Sequence, residues 1–187
     1  MADEEAFREF VTARWTALLR TAYLLTGDHG RAEDLVQTTL EKMHRHWRRI
    51  ERKDAPDAYA RRVMTNLAIS QSRRRRFRET SIAFAPQIAA RDGANSADAV
   101  AVRDEVWRAL LLLPPRMRAV LVLRFFEDLS EAEVARTLEC SEGTVKSQTS
   151  RGLARLRELM RPDDPDDEPA GARRLAPITT TPEGMPR

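Results

Sequence analysis

Apolar residues recur through the first part of the chain at the three- and four-residue spacing of amphipathic helices. The spacing predicts a helix over residues 4–25, a second from about 28 to 50, and a third over 57–76. Gly27 fits the C-terminal end of the first helix, and Pro56 fits the opening turn of the third. We therefore expect three packed helices here.

The helical pattern resumes near Val100 and continues to about residue 160. One helix is expected to end at Pro114–Pro115, because the residue before a proline disfavours helical backbone. The next, over 117–126, is apolar nearly all round, so we expect it to be largely buried. Two further helices follow, one on each side of a short polar turn.

Two stretches lack this periodicity. Residues 79–99 are rich in Ala and contain Pro86 and Gly93, which is typical of a linker. The segment after Arg161 holds six of the ten prolines and the acidic run DDPDDE, so we expect it to be disordered. The pattern predicts an all-α protein of two small helical domains joined by a flexible linker. The expected parts are a domain over 1–78, the linker 79–99, a domain with a helix-turn-helix over 100–161, and the tail 162–187.

The segment LSEAEVARTLECSEGTV carries the signals of a helix-turn-helix. Ser130 and Glu133 form an S-x-x-E capping box at the first helix, and Ser141 can cap the second. Val145 is expected to fill the crossing between the two helices. Glu139 occupies the turn position that usually holds Gly, at a cost of about 1 kcal/mol for left-handed backbone. The second helix is then expected to present its polar face outward.

In a helix-turn-helix, the N-terminal part of the second helix enters the major groove. Long cations there can reach phosphates or guanine edges, and short polar side chains can meet base edges or the backbone. An ordinary helical hairpin with a polar turn is the alternative. The candidate DNA-reading residues are Thr144, Lys146, Ser147, Gln148, Ser150, Arg151 and Arg155.

The distribution of charge supports a polyanionic partner. The net charge of the chain is only +3, yet Lys and Arg concentrate in two segments, 42–78 and 142–161, while the remaining segments are acidic. Clustered cations on predicted helices are the electrostatic footprint of nucleic-acid binding, although a solvated cationic surface is the simpler interpretation of either segment alone.

Other signals exclude several classes of function. The single Cys140 cannot form an intramolecular disulfide, and neither a signal peptide nor a membrane-spanning run is expected, which favours a cytoplasmic protein. His44 and His46 point to different sides of a helix, so no metal is expected, and no motif indicates a cofactor or an enzyme. The three tryptophans, Trp15, Trp47 and Trp107, lie on or beside core stripes, so we expect them to pack.

Three ordered segments resemble one protein family. LPPRMRAVLVLRFFEDLSEAEVARTLECSEGTVKSQTSRGLARLREL resembles region 4 of a bacterial RNA polymerase sigma factor of the extracytoplasmic-function (ECF) subfamily of the sigma-70 family. RAEDLVQTTLEKMHRHW resembles region 2.1–2.2, and DAPDAYARRVMTNLAISQSRRRR resembles region 2.3–2.4. The resemblance covers about residues 5–160 and is strongest to actinobacterial SigE-type factors.

The resemblance implies a subunit that binds core RNA polymerase, through its clamp helices and flap, and directs promoter recognition, promoter melting and transcription initiation. The first domain would bind and melt the −10 element, and the second would bind the −35 element. An anti-sigma factor is a further candidate partner, and no membrane insertion is expected. For core polymerase contact the resemblance selects Asp34, Leu35, Gln37 and Glu41.

The third helix is expected to bind the melted −10 strand. A cationic groove beside hydrogen-bonding groups suits single-stranded DNA with a base turned out of the stack. The resemblance implies that Asn66 and the 52–58 loop help to form the pocket for that base and that the RRRR run holds phosphates. The candidate −10 residues are Arg61, Arg62, Thr65, Asn66, Arg73, Arg74, Arg75 and Arg76.

Two other classes of protein remain open from the residues alone. A stand-alone regulator would bind palindromic DNA as a dimer through the second domain. An interaction adaptor would use the basic segments to hold an acidic protein. A sigma factor instead needs two tethered DNA-binding domains, and 21 linker residues at about 3.3 Å each span at most about 70 Å. That reach covers about 20 base pairs at about 3.4 Å per pair, which is enough for two promoter elements.

Overall fold

The computed structural model describes residues 2–53, 56–79 and 97–161. These residues are helical apart from short turns, which confirms the all-α prediction. Predictions about linker residues 80–96, about the tail 162–187 and about residues 54–55 fall outside the described residues. Among the described residues, no helix is both long and apolar enough to cross a membrane. The helices are α1 (Ala2–Thr26), α2 (His29–Lys53), α3 (Pro56–Glu79), α4 (Ala97–Leu112), α5 (Pro115–Leu121), α6 (Glu131–Leu138) and α7 (Glu142–Leu159), with a π-helical turn over Val122–Phe126.

A tight turn at Gly27 brings α1 and α2 together. Gly27 has a φ of +75°, which favours glycine, and its N–H donates to the Tyr23 carbonyl at 2.8 Å. The Asp28 carboxylate then accepts from the N–H of Arg31 at 2.9 Å in the first turn of α2. The buried residues of α2 follow the predicted stripe: Ala32, Leu35, Val36, Leu40, Met43, Trp47 and Ile50.

The apolar residues of α3 are buried to different degrees. Ala60, Met64 and Ala68 are buried, whereas Tyr59 and Leu67 are half-buried. The reason is that α3 packs against α1 and α2 on one side and against α5 and α6 on another. A single amphipathic stripe cannot describe a helix that has neighbours on two sides.

The helices after the linker build a second apolar cluster. Val134 and Leu138 of α6 and Val145 of α7 pack with Leu123 and Leu129. Cys140 packs against this cluster. The cluster fixes the crossing of α6 and α7.

Three large apolar side chains are more exposed than expected. Phe125 is 59% and Phe126 is 49% exposed, although residues 117–126 were expected to be largely buried. The π-helical turn ends that segment and directs both rings outward. Trp15 is 40% exposed because it lies at the edge of the α1 face, whereas Trp47 is buried as expected.

The helices before the linker, α1–α3, form one group, and the helices after it, α4–α7, form a second. The two groups pack on each other. The Tyr23 ring of α1 stacks on the Trp107 ring of α4, with centroids 5.1 Å apart and planes 4° from parallel. The buried guanidinium of Arg118 donates to the carbonyls of Leu25 at 2.8 Å and Leu113 at 3.2 Å. These charge-assisted bonds tie α5 to the C-terminal end of α1.

Candidate nucleic-acid interface

The start of α6 has the predicted capping box. The Ser130 Oγ accepts from the Glu133 N–H at 3.2 Å, and the Glu133 carboxylate accepts from the Ser130 N–H at 2.8 Å. The Ser130 hydroxyl also donates to the Glu133 carboxylate at 2.6 Å, and these two hydrogen bonds to the carboxylate hold the pKa of Glu133 below its usual value of 4.5. The box fixes where α6 begins, and Leu129 beside it is buried.

The turn between α6 and α7 has the geometry expected of a helix-turn-helix. Glu139 adopts left-handed backbone with φ and ψ both 51°, and the Cys140 N–H donates to the Ala135 carbonyl at 3.0 Å. Ser141 then caps α7 by accepting from the Thr144 N–H at 3.1 Å. A non-glycine residue therefore takes the left-handed position, as predicted.

The inner side of α7 determines which residues face outward. Val145 is fully buried in the crossing, and Gly152 is buried where α7 meets α5. Thr144, Ser150 and Arg151 lie on the exposed side. The helix therefore leaves a polar, partly cationic surface outside, as the sequence predicted.

The remaining candidate residues of α7 lie on or beside that exposed side. Lys146 and Arg155 are exposed, while Ser147 and Gln148 are half-buried. The Lys146 ammonium is 3.6 Å from the Glu131 carboxylate. The Arg155 guanidinium is 2.7 Å from the Glu158 carboxylate. Exposed ion pairs of this kind are weak, so both cations remain available to an anionic ligand.

A second cationic surface lies on α3. Asn66, Arg73 and Arg74 are exposed and Arg75 is half-buried, while the side chain of Arg76 lies outside the described residues. These residues are on the helix that carries the predicted −10 surface.

Two predicted contact residues lie in the core. The Thr65 side chain is fully buried, and its hydroxyl donates to the Arg61 carbonyl at 2.7 Å. Leu35 is fully buried between α1 and α2. Neither side chain faces outward, so both contribute to packing rather than to direct contact. Thr65 therefore leaves the predicted −10 contacts, and Leu35 leaves the predicted contacts to core polymerase.

One acidic residue from the second group of helices binds the predicted −10 surface. The Glu127 carboxylate is 3.1 Å from the Arg61 guanidinium and also accepts a hydrogen bond from the Thr21 hydroxyl. Nearby, the Arg62 guanidinium lies 5.3 Å from the centre of the Tyr59 ring, in a groove shared by α3 and α6. Part of the predicted −10 surface therefore faces α6 in this arrangement.

Sequence reasoning missed Glu127 and Arg118 as contacts between the two groups of helices. Arg118 had a visible signal, because it is a lone cation within the apolar run from Met117 to Leu123. A charge in that position needs a buried partner. Glu127 had no such signal.

The outer side of α2 carries the remaining predicted contacts. Asp34, Gln37 and Glu41 are exposed, and the Gln37 amide lies 3.5 Å from the Glu41 carboxylate. Beside them, Trp15 and Leu40 line a shallow groove between α1 and α2. The side presents acidic and amide groups next to an exposed aromatic ring.

The order of these surfaces along the chain matches known proteins. The profile of sigma-70 region 2 matches residues 10–78, and that of sigma-70 region 4 matches residues 103–156. An RNA polymerase sigma-E factor of Streptomyces coelicolor is 40% identical over 159 residues, which cover 84% of this chain and 88% of that protein. The chain belongs to the sigma-70 family. The ECF RNA polymerase sigma factor SigL of Mycobacterium tuberculosis is 32% identical over 162 residues, 83% of this sigma factor and 89% of SigL.

A solved structure extends the similarity to three dimensions. The sigma factor RpoE of Bartonella quintana, crystallised with the anti-sigma factor NepR, superposes with a TM-score of 0.67 at 27% identity. The match covers 85% of this chain and 99% of that one. This sigma factor therefore binds core RNA polymerase and directs transcription initiation at promoters. Family membership also confirms that it is an initiation factor without enzymatic activity.

Proposed function

We propose that α7 reads the −35 element and that the outer residues of α3 hold the melted −10 strand. The proposed −35 contacts are Thr144, Lys146, Ser147, Gln148, Ser150, Arg151 and Arg155, and the proposed −10 contacts are Arg61, Arg62, Asn66 and Arg73–Arg76. The exposed side of α2 with Asp34, Gln37 and Glu41 is the proposed contact to core polymerase. The domain limits proposed from the sequence, 1–78 and 100–161, place one DNA surface in each domain.

One observation carries this assignment. The buried Val145 and Gly152 turn the polar side of α7 outward, while Ser141 holds the N-terminal end of that helix free at the surface. A capped, outward-facing second helix is the arrangement that docks into the major groove. The arginines of α3 supply the second, strand-holding surface on the same chain.

Substitutions on the two surfaces test the assignment. Arg151→Ala should lower run-off transcription from a promoter that depends on its −35 element by about 10-fold, because a good base or phosphate contact is worth about 1–3 kcal/mol. Co-elution of this variant with core polymerase should be unchanged. Asp34→Arg should show the reverse, with weaker co-elution and an intact −35 preference in whatever holoenzyme forms.

Either variant can contradict the proposal. If Arg151→Ala loses core polymerase, or if its promoter use is unaffected, α7 does not read the −35 element. If Asp34→Arg co-elutes with core polymerase as the wild type does, the outer side of α2 is not the docking surface.

We further propose that the protein acts in the cytoplasm, where core polymerase and DNA meet, and that an anti-sigma factor binds it. The second proposal is supported by the similarity to RpoE, which is seen with NepR. Purification of the tagged sigma factor at native level, followed by identification of a stoichiometric partner other than polymerase subunits, tests it.

A further inference from the structure

The C-terminal half of α2 carries a cationic surface that none of the assigned contacts uses. Lys42, Arg45, Arg48 and Arg49 are all exposed there. The N-terminal half of the same helix presents Asp34 and Glu41 instead, so the exposed side of α2 changes sign along its length. We call these four residues the α2 basic strip.

The spacing of the strip concentrates charge on one side of the helix. Lys42, Arg45 and Arg49 follow the i, i+3, i+7 spacing, so they are neighbours on one face. Like charges at such positions destabilise a helix, and one or two cations are enough to complement its C-terminal dipole. Within the described residues, Lys42, Arg45 and Arg49 have no acidic partner. The repulsion within the strip therefore lowers folding stability, and the strip has more cations than the helix dipole needs.

The first turn of α1 covers one side of the strip. The Asp3 carboxylate is 2.5 Å from the Arg48 guanidinium, and the Glu4 carboxylate is 3.1 Å from the His44 imidazole. The hydrogen bond and charge of His44 lower the pKa of Glu4. Two carboxylates thus already occupy positions beside the strip, which shows that its edge accepts anionic oxygens in this geometry.

The position of the strip indicates what kind of anion it binds. α2 ends at Lys53 and α3 begins at Pro56, so the strip and the proposed −10 contacts Arg61 and Arg62 lie on the adjoining ends of two packed helices. A strand held by Arg61 and Arg62 would therefore have its neighbouring phosphates near the C-terminal end of α2. Residues 42–49 span about 10 Å of helix, the length of about three nucleotides at about 3.4 Å each.

We propose that the α2 basic strip binds the sugar-phosphate backbone of promoter DNA next to the melted −10 segment, and that Asp3 and Glu4 compete with that backbone. This inference rests on the proposed −10 role of the α3 side. It adds a phosphate-binding site on a different helix and a covering element in α1.

Promoter binding by the full-length protein with core polymerase tests the strip. Arg45→Ala/Arg49→Ala preserves helix propensity, because Ala is the best helix former. Its holoenzyme should bind a labelled promoter fragment roughly 10-fold more weakly at about 0.1 M salt, with a salt slope smaller by about 1.4. Arg20→Ala/Arg108→Ala is the matched control, since it removes the same charge from exposed positions on α1 and α4 outside the strip. That control should stay within about 2-fold of the wild type.

Several results would overturn the proposed contact between the strip and promoter DNA. It is refuted if Arg45→Ala/Arg49→Ala binds promoter DNA as the control pair does. It is also refuted if this variant loses co-elution with core polymerase, because the residues would then contact protein rather than DNA. If wild-type holoenzyme itself fails to select promoters, the proposed function fails first, and that outcome is visible without any variant.

A second pair of variants tests whether Asp3 and Glu4 compete with DNA for the strip. Asp3→Asn/Glu4→Gln frees Arg48 and His44, so its holoenzyme should bind the promoter several-fold more tightly. Glu9→Gln/Glu105→Gln is the control, because it makes the same change in net charge at exposed positions away from the strip. Equal affinities of the two pairs would refute competition by Asp3 and Glu4.

Discussion

Glu139 shows how a single backbone position limits a DNA-binding motif. Its φ of 51° lies in the left-handed region, where residues other than Gly, Asn and Asp are rarely found. The turn needs that conformation to reverse the chain between α6 and α7 in three residues. The residue is exposed, so no side-chain contact explains the choice of Glu.

Glu139→Gly should therefore stabilise the protein. Glycine removes the left-handed strain of about 1 kcal/mol, although it loses part of that gain to the entropy of the unfolded chain. We expect a net gain of up to about 0.5 kcal/mol in the free energy of unfolding. Urea denaturation followed by circular dichroism measures it, and Glu139→Val, which is β-branched, should be less stable than the wild type. A Gly variant less stable than the wild type would contradict this account.

Glu133 makes the same motif sensitive to acid. The pKa of its carboxyl group is lower in the folded protein than its usual 4.5, so the folded state favours the ionised form. The capping contribution is therefore fully present above about pH 4.5 and is lost as the pH falls through the lower folded value. Wild type should be more stable than Glu133→Gln at pH 7, and the difference should shrink towards pH 3. Thermal melts of both proteins across this range test the prediction, and a constant difference would exclude it.

At the scale of elements, Gly152 sets how closely α7 approaches α5. A Cβ at this position would lie 2.9 Å from the Met117 Cγ and 3.1 Å from a Leu121 methyl group. The close approach lets α7 pack on α5 while its polar side stays outward. The helix accepts a residue of poor helix propensity here because the packing requires it.

Gly152→Ala should consequently destabilise the protein. Overpacking costs about 1–3 kcal/mol, which exceeds the gain of about 1 kcal/mol in helix propensity. Gly143→Ala is the matched control on the same helix, because its added Cβ would meet only the Ser141 Oγ, at 3.9 Å. That variant should be as stable as the wild type or more so. Equal effects of the two substitutions on the urea midpoint would contradict the packing argument.

At the scale of the whole molecule, contacts between the two groups of helices cover part of the proposed −10 surface. Arg61 belongs to the proposed −10 surface, yet Glu127 occupies it in this arrangement. Arg118 and the Tyr23–Trp107 stack hold the same arrangement elsewhere. The two DNA surfaces can reach separate promoter elements only after these contacts break.

Glu127→Ala should shift the protein towards the open arrangement. It removes the partner of Arg61 while Thr21 keeps its hydrogen bond to the Ala17 carbonyl. We expect a larger radius of gyration in solution scattering and tighter binding of a single-stranded −10 oligonucleotide without polymerase. Glu131→Ala is the control, because its partner Lys146 lies in the same group of helices. An unchanged radius together with unchanged oligonucleotide binding would show that Glu127 does not hold the arrangement closed.

Local chemistry accounts for what the sequence predicted well. The capping box of Ser130 and Glu133, the Ser141 cap, the left-handed Glu139 and the buried Val145 follow from rules that act within a few residues. The stripe of α2 was predicted for the same reason, since one side of that helix is buried and the other is solvated. The outward polar side of α7 follows directly from these local features.

Tertiary structure alone decided the rest. Thr65 was placed on a contact surface, but α3 has neighbours on two sides, so this side chain is buried. Glu127 and Asp3 each meet a basic residue more than 40 positions away, and nothing in their local sequence specifies that partner. Helix periods and caps are short-range properties of the chain, whereas charge pairing between elements depends on how the packed helices are oriented. The sequence by itself therefore determined the helices, the motif and the family, and the packing decided which of their cations are free to meet DNA.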